Sequence, residues 1–113
     1  MEENKCSFLN LSEGKKVEPI KGLIRTTMAY NGNIMICHFT QKKDAVVALH
    51  SHVAAQSGYI IKGKLKFFDK EGNNYIAETG CGYVFDSEEF HGSEALEDTE
   101  FVESFSPMRP EYI

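Results

Sequence analysis

Leu49-His50-Ser51-His52-Val53-Ala54-Ala55-Gln56-Ser57-Gly58-Tyr59-Ile60-Ile61-Lys62-Gly63-Lys64-Leu65-Lys66-Phe67-Phe68 is the stretch on which the fold turns. Two short apolar runs, 57–62 and 64–69, flank the turn signal Lys62-Gly63-Lys64, and a His-x-His pair stands just ahead of them. Runs of this length, bounded by glycine and small polar residues, predict strands rather than helices. The same punctuation recurs outward in both directions, at Asn31-Gly32-Asn33, Glu71-Gly72-Asn73-Asn74 and Gly80-Cys81-Gly82. It predicts further strands at 23–30, 34–40, 45–51, 74–78, 82–86, 91–95 and 100–105, with no helical periodicity competing. Many short antiparallel strands must hide their edges, so the expected fold class is all-β, closed as a small barrel or a double-sheet jelly roll.

The chain has 113 residues, 42% of them hydrophobic, with no repeat and no Pro/Ser linker. That is one domain, expected over 23–113 after an N-terminal lead or edge segment, 1–22. The net charge of −5 is uneven: residues 1–56 carry seven Lys/Arg against five Asp/Glu, and residues 57–113 carry five against twelve. Without a basic block, neither nucleic acid nor an anionic membrane is an expected partner. Three cysteines, Cys6, Cys37 and Cys81, are odd in number and lack a C-x-x-C pair, which fits a reduced setting. With no signal-like h-region and no long apolar run, the expected location is cytoplasmic.

In an extended segment, His50 and His52 point to one face, and two imidazoles in one volume suit a divalent metal. His-x-His in a strand is also a common hydrogen-bonded surface pair, so the pair alone leaves both readings open. His38, inside the apolar run Ile34–Phe39, reads as a hydrogen-bonded sheet histidine, and Cys81, between two glycines, as a turn residue. Beyond Lys70 the chain has eleven Asp/Glu and one positive charge, Arg109. That guanidinium either grips a substrate carboxylate as a planar fork or forms a surface ion pair with a neighbour such as Glu111. Glu103 alternates with Phe101 and Phe105. Its carboxyl lies either on a solvent face or in a cavity with a raised pKa, where it could move protons. Tyr112 and Ile113 are expected at the barrel rim.

The spacing of these histidines resembles the cupin superfamily. Its first motif, G-x5-H-x-H followed by a Glu and then a Gly, finds His50, His52, Gln56 and Gly63 in register, and its second motif finds Gly80 and His91. The chain departs from the motifs at Asp44 and Glu88, where the family has glycine, at Asp86 in place of Pro, and at Ala95 in place of Asn. The resemblance implies a single-domain cupin, a double-stranded β-helix. It also implies one divalent transition metal ion, Zn, Ni, Fe or Mn, held by His50, His52, Gln56 and His91. The amide at Gln56 replaces a carboxylate and leaves the full +2 charge in the cavity, which favours a small anionic substrate.

The ending Phe105-Ser106-Pro107-Met108-Arg109, with His50-Ser51-His52 and Gln56-Ser57-Gly58-Tyr59 upstream, is similar to small cupins of pectin and alginate breakdown that linearise 4,5-unsaturated uronates. That similarity implies catalytic roles for Glu103 and Arg109, substrate contacts from Arg109, Phe105 and Tyr59, and a homodimer. Glu103 stands where that subgroup has Asp. A non-catalytic binding or sensing cupin and a metal-dependent dioxygenase are the other functions this resemblance leaves open.

Overall fold

The computed structural model describes residues 8–113; Cys6 and the start of the expected N-terminal lead lie outside the described residues. Ten strands follow a single-turn 3-10 segment at Leu11–Glu13: β1 Lys15–Ile20, β2 Leu23–Tyr30, β3 Met35–Gln41, β4 Val46–His50, β5 Ala55–Lys62, β6 Lys64–Phe68, β7 Asn74–Glu78, β8 Gly82–Phe85, β9 His91–Ala95 and β10 Thr99–Ser106. A second 3-10 turn, Pro110–Tyr112, ends the chain. Among the described residues no helix is long and apolar enough to cross a membrane.

The strands form two antiparallel sheets, one of six strands in the order β1-β2-β3-β10-β5-β8 and one of four in the order β4-β9-β6-β7. This is the double-stranded β-helix that the family resemblance implied. Alternation along the central strands builds the core: Met35, Cys37, Phe39 and Gln41 of β3 and Thr99, Phe101, Glu103 and Phe105 of β10 all face inward and are buried. Phe39 and Phe101, cross-strand partners, stack at 5.0 Å with rings 6° from parallel. Such a pair contributes roughly 0.5–1.5 kcal/mol beyond its buried area. The inward row on β10 also carries a carboxylate, Glu103, into the barrel.

The lead segment contains β1, which pairs with β2 at the edge of the larger sheet. The strand expected over 45–51 stops at His50, because the β4–β9 register shifts between Val47 and His50, and the strand expected from 57 begins at Ala55. His52 is therefore in a connection rather than in a strand.

Four backbone positions explain how the two histidine motifs turn. Gly63 and Gly80 have φ of +116° and +89°, and Asp44 and Glu88, at the cupin glycine positions, also have positive φ, +76° and +64°. The backbone keeps the left-handed turn where the side chain does not favour it, which strains an L-residue by roughly 1–2 kcal/mol. Glu88 is held there by its N–H, which donates to the His52 carbonyl at 2.7 Å and ties the second motif to the first. Replacing Glu88 by Gly is therefore expected to raise unfolding stability by about 1 kcal/mol, read by chemical denaturation.

Candidate metal centre

Strand pairing brings the histidines together. β4 pairs with β9 so that His50 stands directly opposite His91, with ring centroids 4.5 Å apart. His52, just past β4, places its ring 5.5 Å from His50 and 5.2 Å from His91. One ligand atom from each of the three lies within 4.8 Å of the others.

Backbone carbonyls set the tautomer of every ring. His50 Nδ1 lies 2.8 Å from the Ala48 oxygen, His52 Nδ1 2.7 Å from that of Ala54, and His91 Nδ1 2.8 Å from that of Glu89. A carbonyl oxygen only accepts, so each Nδ1 carries a proton and donates it, leaving Nε2 as the lone pair of each neutral ring. Burial holds His91 down to about 4, and burial followed by the nearby Arg109 charge holds His52 below the ordinary histidine value. Both rings are neutral at neutral pH.

Two features fit a cation at this point. His91 Nε2 is buried with no hydrogen-bond partner, and His52 Nε2 faces Gln56 Oε1 at 2.9 Å, one acceptor aimed at another. Three imidazole lone pairs and an amide oxygen, with each ring oriented from behind by a carbonyl, fit a divalent transition metal. The cavity at this point measures about 60 Å³.

Glu103 is buried beside this cluster, and burial pushes its carboxyl up to about 7. Hydrogen bonds from Tyr83 and Gln56, and the Arg109 charge, act the other way. Tyr83 donates to Glu103 Oε2 at 2.7 Å from β8, two strands away. Strands lie about 4.8 Å apart, so the phenol has to cross β5, and the residue it crosses is Gly58, paired with both Glu103 and Tyr83. A Cβ at position 58 would sit 2.2 Å from the Tyr83 ring. Glycine inside a strand marks a close approach of this kind, and Tyr83 was otherwise silent in the sequence.

Of the two courses left open by its sequence position, the structure shows Arg109 in the ion pair. It pairs with Glu111 through Nη2 at 2.9 Å and Nε at 3.1 Å, yet it also lies at the barrel mouth over the rings of Phe105 and Tyr112, donating to the Tyr112 hydroxyl at 2.7 Å. Phe105 is buried and lines the cavity together with Gln56, Glu103 and Arg109. The structure does not bring Tyr59 to the site. Its side chain is 49% exposed on the outer face of β5, because a strand that turns Gln56 and Ile60 inward turns residue 59 outward. His38 is likewise outside, bonded through Nε2 to Glu100 at 2.6 Å. Arg25 has no counterpart in the sequence reasoning: it shares the inward face of β2 with Leu23 and Thr27, and its guanidinium stacks 3.8 Å from the Tyr112 ring centroid. A charged residue in an otherwise inward register was the available signal.

Two antiparallel sheets closed around three converging histidines give the chain a cupin fold. No family model matches the sequence, and no curated protein matches it. Among solved structures it is similar to KdgF from Halomonas sp., at 26% identity and a TM-score of 0.88, over 96% of this chain and 100% of that one. An RmlC-like cupin from Shewanella frigidimarina aligns over all of both chains at 19% identity with a TM-score of 0.89. Ectoine synthase from P. lautus aligns over 88% of this chain and 76% of that one, at 19% identity and 0.78. The last two likenesses speak for the fold alone, and one fold serves many reactions.

Proposed function

We propose that this cupin is a metal-dependent enzyme of small anionic sugars, opening and ketonising a 4,5-unsaturated uronate. The observation that carries the reading is the pairing of a histidine cluster suited to a metal with a buried carboxyl, Glu103, whose proton is exchangeable near neutral pH. A divalent ion on His50, His52, His91 and Gln56 supplies Lewis acidity toward a sugar oxygen. Glu103 gives and takes the proton that ring opening and ketonisation require, with Tyr83 fixing its Oε2 and Gln56 bonded beside it. Phe105 lines the cavity toward the reacting end of the substrate. Arg109 receives the substrate carboxylate by exchanging Glu111 for it, one carboxylate for another on the same planar fork.

The assay uses a fresh polysaccharide-lyase product, whose enol-ether ultraviolet absorbance disappears when the ring opens. The metal-loaded protein is expected to accelerate that loss over the spontaneous rate. A saturable rise in melting temperature with no acceleration would leave a binding or sensing cupin instead.

The same reading takes the protein as a cytoplasmic homodimer. Unpaired Cys37 and Cys81 support the reduced setting. Ile36, Tyr59 and Val84, exposed together on the outer face of the larger sheet, support self-association, closed twofold dimers being common.

A further inference from the structure

The central cavity is too small for the substrate it serves. At about 60 Å³ it holds an ion and one or two waters, since a water's share of the liquid is about 30 Å³. Pockets that take small organic ligands start near 300 Å³. An open cleft of about 310 Å³ adjoins it, sharing Leu23, Phe39, Val47, His50 and Tyr112 with the cavity and adding Arg25. Two other clefts, one of about 580 Å³ on the outer face near Met28 and His38 and one of about 270 Å³ at the β7–β8 edge near Tyr75 and Phe90, do not reach the three histidines.

Among the described residues no carboxylate pairs with Arg25, and no acidic side chain lines the adjoining cleft to which it brings its charge. Its Nε is buried without a hydrogen-bond partner, and its guanidinium carbon lies 3.8 Å from the Tyr112 ring centroid. Arg109 stacks 4.0 Å from the same centroid but already has a carboxylate, that of Glu111. A guanidinium has five donors and no acceptor, and leaving them unmatched in a half-buried place is unfavourable. The two oxygens of a carboxylate match its fork.

We propose that the body of the substrate lies in this cleft and that Arg25 joins Arg109, stacked on the same Tyr112 ring, in binding its carboxylate, which directs the hydroxyl-bearing end at His50, His52 and His91. Arg25 is then a substrate-binding residue in its own right, and unlike Arg109 it needs no prior partner displaced. The choice of a sugar acid as ligand rests on the uronate reading; the assignment of a carboxylate to Arg25 does not.

Calorimetric titration of the metal-loaded protein with D-galacturonate, D-galactose, malate and inorganic phosphate tests this without any turnover. The wild type is expected to bind galacturonate at least about tenfold more tightly than galactose, and Arg25→Met, which keeps an apolar stem over Tyr112, to lose that preference. Should Arg25→Met fail to fold, as its melting curve would tell, Arg25→Lys decides, with an expected loss of about threefold or more because the charge stays and the fork goes. Arg25-dependent binding of malate but of neither sugar would support the carboxylate assignment and remove the uronate reading. Carboxylate binding that is absent, or unchanged by both substitutions, overturns the proposal, as does dependence on Arg25 for phosphate alone.

Discussion

His91→Ala is expected to purify without a bound divalent metal, and to bind added zinc more than about a hundredfold more weakly than the wild type. Altering a residue that merely orients a ligand lowers affinity about 10–100-fold, and this substitution removes a ligand. His91 Nε2 is buried with no hydrogen-bond partner among the described residues, and its ring is locked behind by the Glu89 carbonyl and stacked 4.3 Å from Phe85. It has no freedom to serve any other acceptor or donor. His38→Ala supplies the contrast. That ring is bonded to Glu100 on the outer face of the larger sheet, and its loss should leave metal content unchanged. Elemental analysis of both variants, purified identically, reads the result, and equal metal in His91→Ala and wild type would contradict it.

Glu103→Gln is expected to abolish most turnover while stabilising the metal-free fold at alkaline pH. In the folded chain the carboxyl titrates at about 7, against 4.5 for the ordinary group. Between those values the folded protein holds a proton that the unfolded chain has released, so Glu103 makes stability fall as pH rises through the window. A shift of this size amounts to about 3 kcal/mol. The amide variant has no such titration, so its stability relative to wild type should grow by about 3 kcal/mol between pH 4.5 and pH 8. Denaturation curves of the two proteins across that range measure it. A parallel pair of curves would mean that the carboxylate is solvated. Activity should move the other way, falling by about 10²–10⁴-fold, the usual contribution of a positioned acid or base. Gln can still accept from Tyr83, so the hydrogen bond survives while the transferable proton does not.

How much of this was readable beforehand depends on whether the information is local. Turn chemistry and short apolar runs are local, and they located nine of the strands to within two residues. β1 went unread because its residues are mostly exposed and include Pro19, so it has no buried face to leave a pattern. The metal cluster was readable because two motif spacings carry it; even Asp44 and Glu88, which lack the glycine, keep the glycine conformation. Tyr59 shows strand parity prevailing over resemblance: three residues from Gln56, it must face the other way. Tyr83 and Arg25 were hidden for another reason. Each acts through a register that only the assembled sheet defines, Tyr83 across Gly58 and Arg25 beneath a ring 87 residues later in the chain. Position alone could not choose between the two readings of Arg109, and the folded tail shows its pair with Glu111.

The central claim is that three Nε2 atoms converge on one cation because carbonyls hold every Nδ1–H turned away. X-ray absorption at the metal edge of the zinc-loaded protein tests it most directly. The expected spectrum shows one ion per chain with three imidazole nitrogens at about 2.0–2.1 Å and oxygen completing the shell. A sulfur scatterer, or a spectrum with fewer than three imidazoles, would contradict it.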